Sequence, residues 1–306
     1  MWRRVLSSPF YPDLKTMPAL SLTIAIYREP DLLRRLLGEA EGCYDELIVV
    51  HDGPDELNVR SIVESAGGRF FERPRVFQPE PHIPFAIAEA KNDWIMRLDA
   101  DELPSEKMKE WLKEFRRAPE PPADLSGYTF IWPLWNGKKT ISKKWPDGRI
   151  FVFNRKSVRA IGMVEAGYIP DGRLEPTGLV LLHQPRRKSY GFHNVLIRKS
   201  AYHWREKIAE ALLGKPTELP CWRWTDPNWP VDWEQIRAHP LKTAFRRLVM
   251  MTFRGLRSQW RVDRRFYVEA ALNGPIHHAL ICLKYWQLRR RAQRVSRPNE
   301  KSTGTF

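Results

Sequence analysis

Asp93-Trp-Ile-Met-Arg-Leu-Asp99-Ala-Asp101-Glu102-Leu-Pro-Ser105 is the stretch on which the reading of the fold turns. A short apolar run, Trp94–Leu98, ends in two carboxylates one residue apart. At i and i+2 of an extended strand end, Asp99 and Asp101 are expected to project to the same side. Two adjacent hard oxygen donors suit Mg²⁺ or Mn²⁺, which bridges to a diphosphate and neutralises it. An isolated D-x-D is common, however, and an acidic loop favouring the N-terminus of the next helix accounts for it as well. The residues upstream decide between the two readings.

Those residues alternate strand and helix signals. Leu20–Ile26 (LSLTIAI) is a β-rich apolar run ended by the polar turn Tyr27-Arg28-Glu29-Pro30. Asp31 then precedes Leu32, Leu33, Leu36, Leu37 and Ala40 at helical spacing. Glu46–Val50 (ELIVV) reads as a second buried strand that stops at His51-Asp52-Gly53-Pro54. A helix over Val59–Ala66 leads to a third strand from Arg69, and a short helix over Pro84–Lys91 leads to Trp94–Leu98 as the fourth. This rhythm predicts an α/β fold with a parallel sheet between helices, in which ligands bind beyond the carboxyl ends of the strands. Asp99 and Asp101 close the fourth strand, where such a crevice belongs. The rhythm fades after a helix near Ser105–Arg117 and the proline-rich break at 118–123. Strand-like runs at Tyr128–Trp135, Arg149–Asn154 and Leu179–His183 follow, then a helix near Asn194–Leu213.

Composition narrows the classes further. The 306 residues are 42% apolar and 28% charged, which excludes a disordered or collagen-like chain. Three widely separated cysteines, Cys43, Cys221 and Cys282, form neither a disulfide framework nor a zinc-type spacing and fit a reducing compartment. No stretch reaches the roughly 18 apolar residues of a membrane span. The net charge of +15 is concentrated: from Arg237 to Arg294 there are fourteen Lys and Arg against Asp263 and Glu269.

The turn at Ile24–Glu29, then VVHDGPDE (Val49–Glu56) and AKNDWIMRLDADELPSE (Ala90–Glu106) together resemble the family 2 glycosyltransferases. The likeness is nearest to the bacterial branch that extends lipopolysaccharide core, capsule or related surface glycans. It spans about residues 20–183 and is most specific at Asp93–Ser105. The resemblance implies a GT-A fold, a nucleotide-sugar donor such as a UDP-hexose, a divalent metal and inversion at the anomeric carbon. Position by position, Asp101 matches the family's metal-binding carboxylate, and Asp99 its neighbour that contacts the donor ribose or sugar and shares the metal. Asp52 matches the acid that reads the uracil ring, and Glu29 the acid of an Asn-Glu pair in which Arg28 replaces the Asn. His51-Asp52-Gly53-Pro54 departs from the family's Asp-Ser-x-Ser run, and Asp55 reads equally as a turn residue. Glu165, in Gly162-Met163-Val164-Glu165, is the candidate base for the acceptor hydroxyl, with Asp147 of Trp145-Pro-Asp-Gly-Arg149 as runner-up. His183 closes a strand where relatives place a His near the metal or diphosphate, and a packed or surface role fits it too.

On this reading residues 1–19 are an N-terminal extension, 20–117 the nucleotide-sugar-binding half, 118–236 the acceptor half and 237–306 a basic helical region. In that last region Leu241, Ala244, Phe245, Leu248, Val249, Thr252 and Leu256 recur at helical spacing, and a second stretch, Ile276–Leu288, runs into Arg289-Arg290-Arg291. The basic helix reads either as an anchor on an anionic membrane surface or as a solvated helix packed against the domain. Trp222, Trp224, Trp229 and Trp233 read as an acceptor groove or as core anchors. The expected protein is a cytoplasmic, hexosyltransferase-like enzyme, peripheral on the inner face of a membrane, with a glycan or glycolipid acceptor. A nucleic-acid-binding protein is the alternative suggested by the sequence pI of about 9.9, but no reader motif is present and acidic strand ends repel a phosphate backbone. Nucleotidyl transfer on the same fold would want a basic phosphate-gripping loop after the first strand, which Tyr27-Arg28-Glu29-Pro30 does not supply.

Overall fold

A computed structural model of the chain describes residues 17–133, 135, 137–140, 148–160, 162, 168–186, 196, 199–214, 232–258 and 267–295. The first part runs β1 (Leu20–Ile26), α1 (Pro30–Glu39), β2 (Glu46–Asp52), α2 (Val59–Ser65), β3 (Arg69–Arg73), α3 (Ile83–Glu89) and β4 (Trp94–Arg97). It continues through β5 (Glu102–Pro104), α4 (Glu106–Phe115), β6 (Leu125–Ile131), β7 (Arg149–Asn154), β8 (Val158–Ala160), β9 (Tyr168–Pro170) and β10 (Arg173–His183). Helices α5 (Lys199–Leu212), α6 (Asp232–Ala238), α7 (Pro240–Ser258) and α8 (Tyr267–Val295) follow.

One eight-stranded sheet has the order β3-β2-β1-β4-β7-β6-β10-β5. β1 pairs in parallel with β2 and β4, and β2 with β3, as the alternating strand and helix signals require. β7 is antiparallel to both β4 and β6, β6 is parallel to β10, and β5 is antiparallel to β10. β1, β2, β3, β4, β6 and β10 therefore all point one way, and β7 and β5 point back. The loss of the βα rhythm after Phe115 is this change to antiparallel pairing within the same sheet. Its consequence for the site is direct. The carboxyl ends of β1, β2, β4, β6 and β10 lie along one edge of the sheet, together with the amino end of β7.

The central strand β1 is buried along its whole length, which is why it reads as a continuous apolar run. Its residues divide between the two faces with the period of two expected of a strand. Leu22, Ile24 and Val49 join Leu33 and Leu36 of α1 and Met108 and Leu112 of α4 in one core. Ala25, Ile48, Val50 and Ile95 pack on the other face with Ile83 and Ile87 of α3. A third cluster joins the C-terminal helices: Ile208, Leu212, Ile236, Ala244, Ile281 and Tyr285 pack with Val76, from the loop that follows β3. The helical region thus buttresses a loop at the carboxyl edge of the sheet. Among the described residues, no helix is long and apolar enough to cross a membrane.

Candidate active site

The D-x-D stretch is not an extended strand end. β4 stops at Arg97, and the chain turns through residues 99–102, where the Glu102 N–H donates to the Asp99 carbonyl at 3.0 Å. Glu102 closes the turn from the other side, since its Oε2 accepts the Asp99 N–H at 2.7 Å. In this turn the two carboxylates have different partners. Asp99 faces back to Arg97, which donates to it through both terminal nitrogens at 2.5 and 3.1 Å. Asp101 faces β10: its Oδ2 lies 3.5 Å from His183 Nε2.

The sheet register explains the Asp101–His183 pair. β5 runs antiparallel to the end of β10 and sets His183 opposite Glu102, while the Gln184 N–H donates to the Asp101 carbonyl at 2.8 Å. His183 stacks on Trp132 with ring centroids 4.0 Å apart, and the Arg149 guanidinium lies over the Trp132 ring, 3.9 Å from its centroid. Trp132 follows β6 and Arg149 opens β7, so both reach this edge because of the strand directions derived above. The indole Nε1–H of Trp132 donates to Glu102 Oε1 at 2.8 Å, tying the wall to the acidic turn.

Burial, reinforced by Asp99 and Asp101 and partly offset by Arg97 and His183, raises the Glu102 carboxyl from the ordinary 4.5 to about 7. The folded state then keeps a proton that the unfolded chain gives up. Stability from this group is therefore lost as pH rises from about 4.5 towards about 7. Urea midpoints measured in EDTA across that range should fall with pH in the wild type. Glu102→Gln, neutral throughout, should flatten the trend. It should also lose about 1–3 kcal/mol, because one of the two donors then meets an amide NH₂. An unchanged pH slope in Glu102→Gln would assign the trend to other groups.

Asp52 ends β2 as expected but is buried. Its Oδ1 accepts the Val76 N–H at 2.6 Å and lies 3.0 Å from His82 Nε2. The HDGP turn that departs from the family pattern has a local cause: Gly53 adopts φ +91° and lies so close to Arg75 that a Cβ would sit 3.0 Å from that side chain. Arg75 in turn covers Tyr27, with its guanidinium 3.2 Å from the ring centroid. Glu29 sits at the head of α1, its carbonyl accepting the Leu33 N–H at 3.0 Å, and Arg28 pairs with Glu56. Asp55 has the turn role: its two oxygens accept the Val59 and Arg60 N–H groups at 2.8 Å and so cap α2. Glu165 and Asp147 lie outside the described residues, as do Trp222, Trp224 and Trp229.

Asp101 and His183 are thus brought together at the strand edge, whereas Asp99, expected as a further metal ligand, is held by Arg97. No group of three or more metal-binding side chains occurs among the described residues. The pair nevertheless fits a Mg²⁺- or Mn²⁺-type ion, which takes one or two protein ligands and fills its remaining positions with water and phosphate oxygens. Among the described residues His183 Nδ1 is buried without a hydrogen-bond partner, so none of them fixes the tautomer that would oppose ligation by Nε2. Sequence reasoning passed over Tyr27, Arg75, Arg97, Trp132 and Arg149. A charged residue inside the apolar strand WIMRL, two positions before an acid, was the available sign for Arg97. The others are assembled by strand directions and leave no local pattern.

Residues 21–170 match the protein family described as Glycosyl transferase family 2. That stretch contains β1 to β9 and every carboxylate discussed above except those of the C-terminal region. Over that stretch the chain is similar to this family, and the chain is a glycosyltransferase. No curated protein matches the sequence. Among solved structures, the chain is similar to the mannosyltransferase PcManGT from Pyrobaculum calidifontis, in complex with GDP-Man and Mn²⁺. The identity is 12% and the TM-score 0.46, over 90% of this chain and 89% of that one. It is also similar to S. aureus TarS 1–349, at 12% identity and a TM-score of 0.35, over 89% of this chain and 92% of that one.

Proposed function

We propose that the protein is a metal-dependent, inverting hexosyltransferase that moves a sugar from a UDP-hexose to a lipid-linked glycan of the lipopolysaccharide-core or capsule kind. The observation that carries this reading is the Asp101–His183 pair at the carboxyl edge of the sheet, flanked by the Trp132–Arg149 stack. Asp101 and His183 would hold the ion. When bound, it supplies charge neutralisation at the donor diphosphate. Arg97 fixes Asp99 in one orientation, which suits a fixed acceptor for ribose or sugar hydroxyls. Tyr27 and Arg75 form the wall beside Asp52 against which a nucleobase would lie.

In the transfer itself the acceptor oxygen attacks the anomeric carbon as the bond from that carbon to the diphosphate oxygen breaks. The hydroxyl proton passes to a carboxylate, for which Glu165 is proposed and Asp147 is the second choice. A thermal-shift screen of nucleotide sugars tests the donor assignment. A donor held at 100 times its Kd should add about 2.7 kcal/mol of stability, and a UDP-hexose is the expected winner. Asp52→Asn, which keeps the shape of the side chain, should lose most of that shift and raise KM for donor more than it lowers kcat. Stabilisation by no UDP-sugar, or an Asp52→Asn protein with unchanged donor KM, would remove the uracil reading.

A further inference from the structure

We propose that the outward face of α7 is a docking surface for an anionic lipid bilayer. This rests on the lipid-linked acceptor only for its purpose, not for its evidence. Of the apolar stripe legible in the sequence of α7, Ala244 packs on the protein but the large members Leu241, Phe245, Leu248 and Val249 do not. Thr243 and Ala244 are buried, and Arg247 lies 2.9 Å from His278 of α8. The large apolar residues point away: Phe245 is 71% and Phe253 72% exposed, and Leu241, Leu248 and Val249 are exposed with them. From Leu241 through Phe245 and the pair Leu248 and Val249 to Phe253 the turns recur every three or four residues, so at about 100° per residue they form one continuous strip.

Beside that strip stand Lys242, Arg246 and Arg257, which form no ion pair among the described residues. The helix contains no Asp or Glu. An aqueous role explains the cations but not two exposed phenylalanines among them, and a second copy of the chain would bring like charges face to face. An anionic bilayer meets both features: phosphate headgroups face the Arg and Lys tips while Phe and Leu enter the acyl boundary. Lying flat in that interface is also consistent with a helix too polar to cross it.

The test is co-sedimentation of the whole protein with phosphatidylglycerol-containing and with pure phosphatidylcholine vesicles, at low and high salt. The wild type should bind the anionic vesicles, more weakly as salt rises, and leave the neutral ones. Phe245→Ser/Phe253→Ser leaves the charge untouched and should weaken anionic-vesicle binding at least about tenfold, since two buried aromatic side chains are lost. Both residues are exposed, so the variant should keep the wild-type melting temperature. If it does not, the single Phe253→Ser replaces it. Arg246→Ser/Arg257→Ser should weaken binding and reduce its salt dependence. Wild-type protein that ignores anionic vesicles overturns the proposal. So does a phenylalanine variant that binds like the wild type, which would mean charge attraction alone. Concentration-dependent self-association abolished by the phenylalanine variant, without vesicle binding, would assign the face to a second copy instead. Donor hydrolysis is read in the same samples, so failure of the docking face and failure of the transferase reading give separate signals.

Discussion

Replacing Asp101 with asparagine is expected to abolish sugar transfer in a protein that still folds. The side chain is partly exposed at a turn, and its described partner is His183 Nε2 at 3.5 Å. The turn itself is held by main-chain bonds and by Glu102, which the substitution leaves alone. Asparagine keeps the size and one oxygen but removes the charge that an ion needs. Losing several kcal/mol of stabilisation of the departing diphosphate corresponds to a fall of about 10³-fold or more in kcat. Turnover measured beside a thermal melt checks this. Near-normal turnover by a folded Asp101→Asn protein would rule out the site.

Glu165→Gln should lower transfer by about 10²–10⁴-fold while donor binding survives. The amide is close in shape to the carboxylate but cannot take the acceptor proton. The acid limb of the pH–rate profile, which reports the base losing its proton, should disappear in this variant. Asp147→Asn is the matched control and should retain most activity. If Asp147→Asn loses the acid limb and Glu165→Gln keeps it, the base is Asp147.

The parallel half of the fold was legible because β1, β2 and β4 are buried on both faces and so appear as apolar runs, whereas the edge strand β3 does not. The carboxyl-edge position of Asp52 and Asp101 followed from that. The orientation of the acids did not. A two-residue spacing implies a shared side only while the chain stays extended, and the hydrogen bonds between Asp99 and Glu102 turn it. His183 was singled out on resemblance, but its neighbours Trp132 and Arg149 were not. They lie 51 and 34 residues away in sequence and meet it through strand directions alone. In α7 the period of the apolar residues was right, but the face they occupy was not decided by it. Of the periodic residues Ala244 makes the packing contact, beside Thr243, while the large ones face outward.

Release of nucleoside diphosphate from a panel of nucleotide sugars, with Mn²⁺ and then with EDTA, tests the central claim most directly. The account predicts slow release of UDP from a UDP-hexose even without acceptor, lost in EDTA, restored by Mn²⁺ and absent from Asp101→Asn. Release from no donor, or release that EDTA and Asp101→Asn leave unchanged, would contradict it.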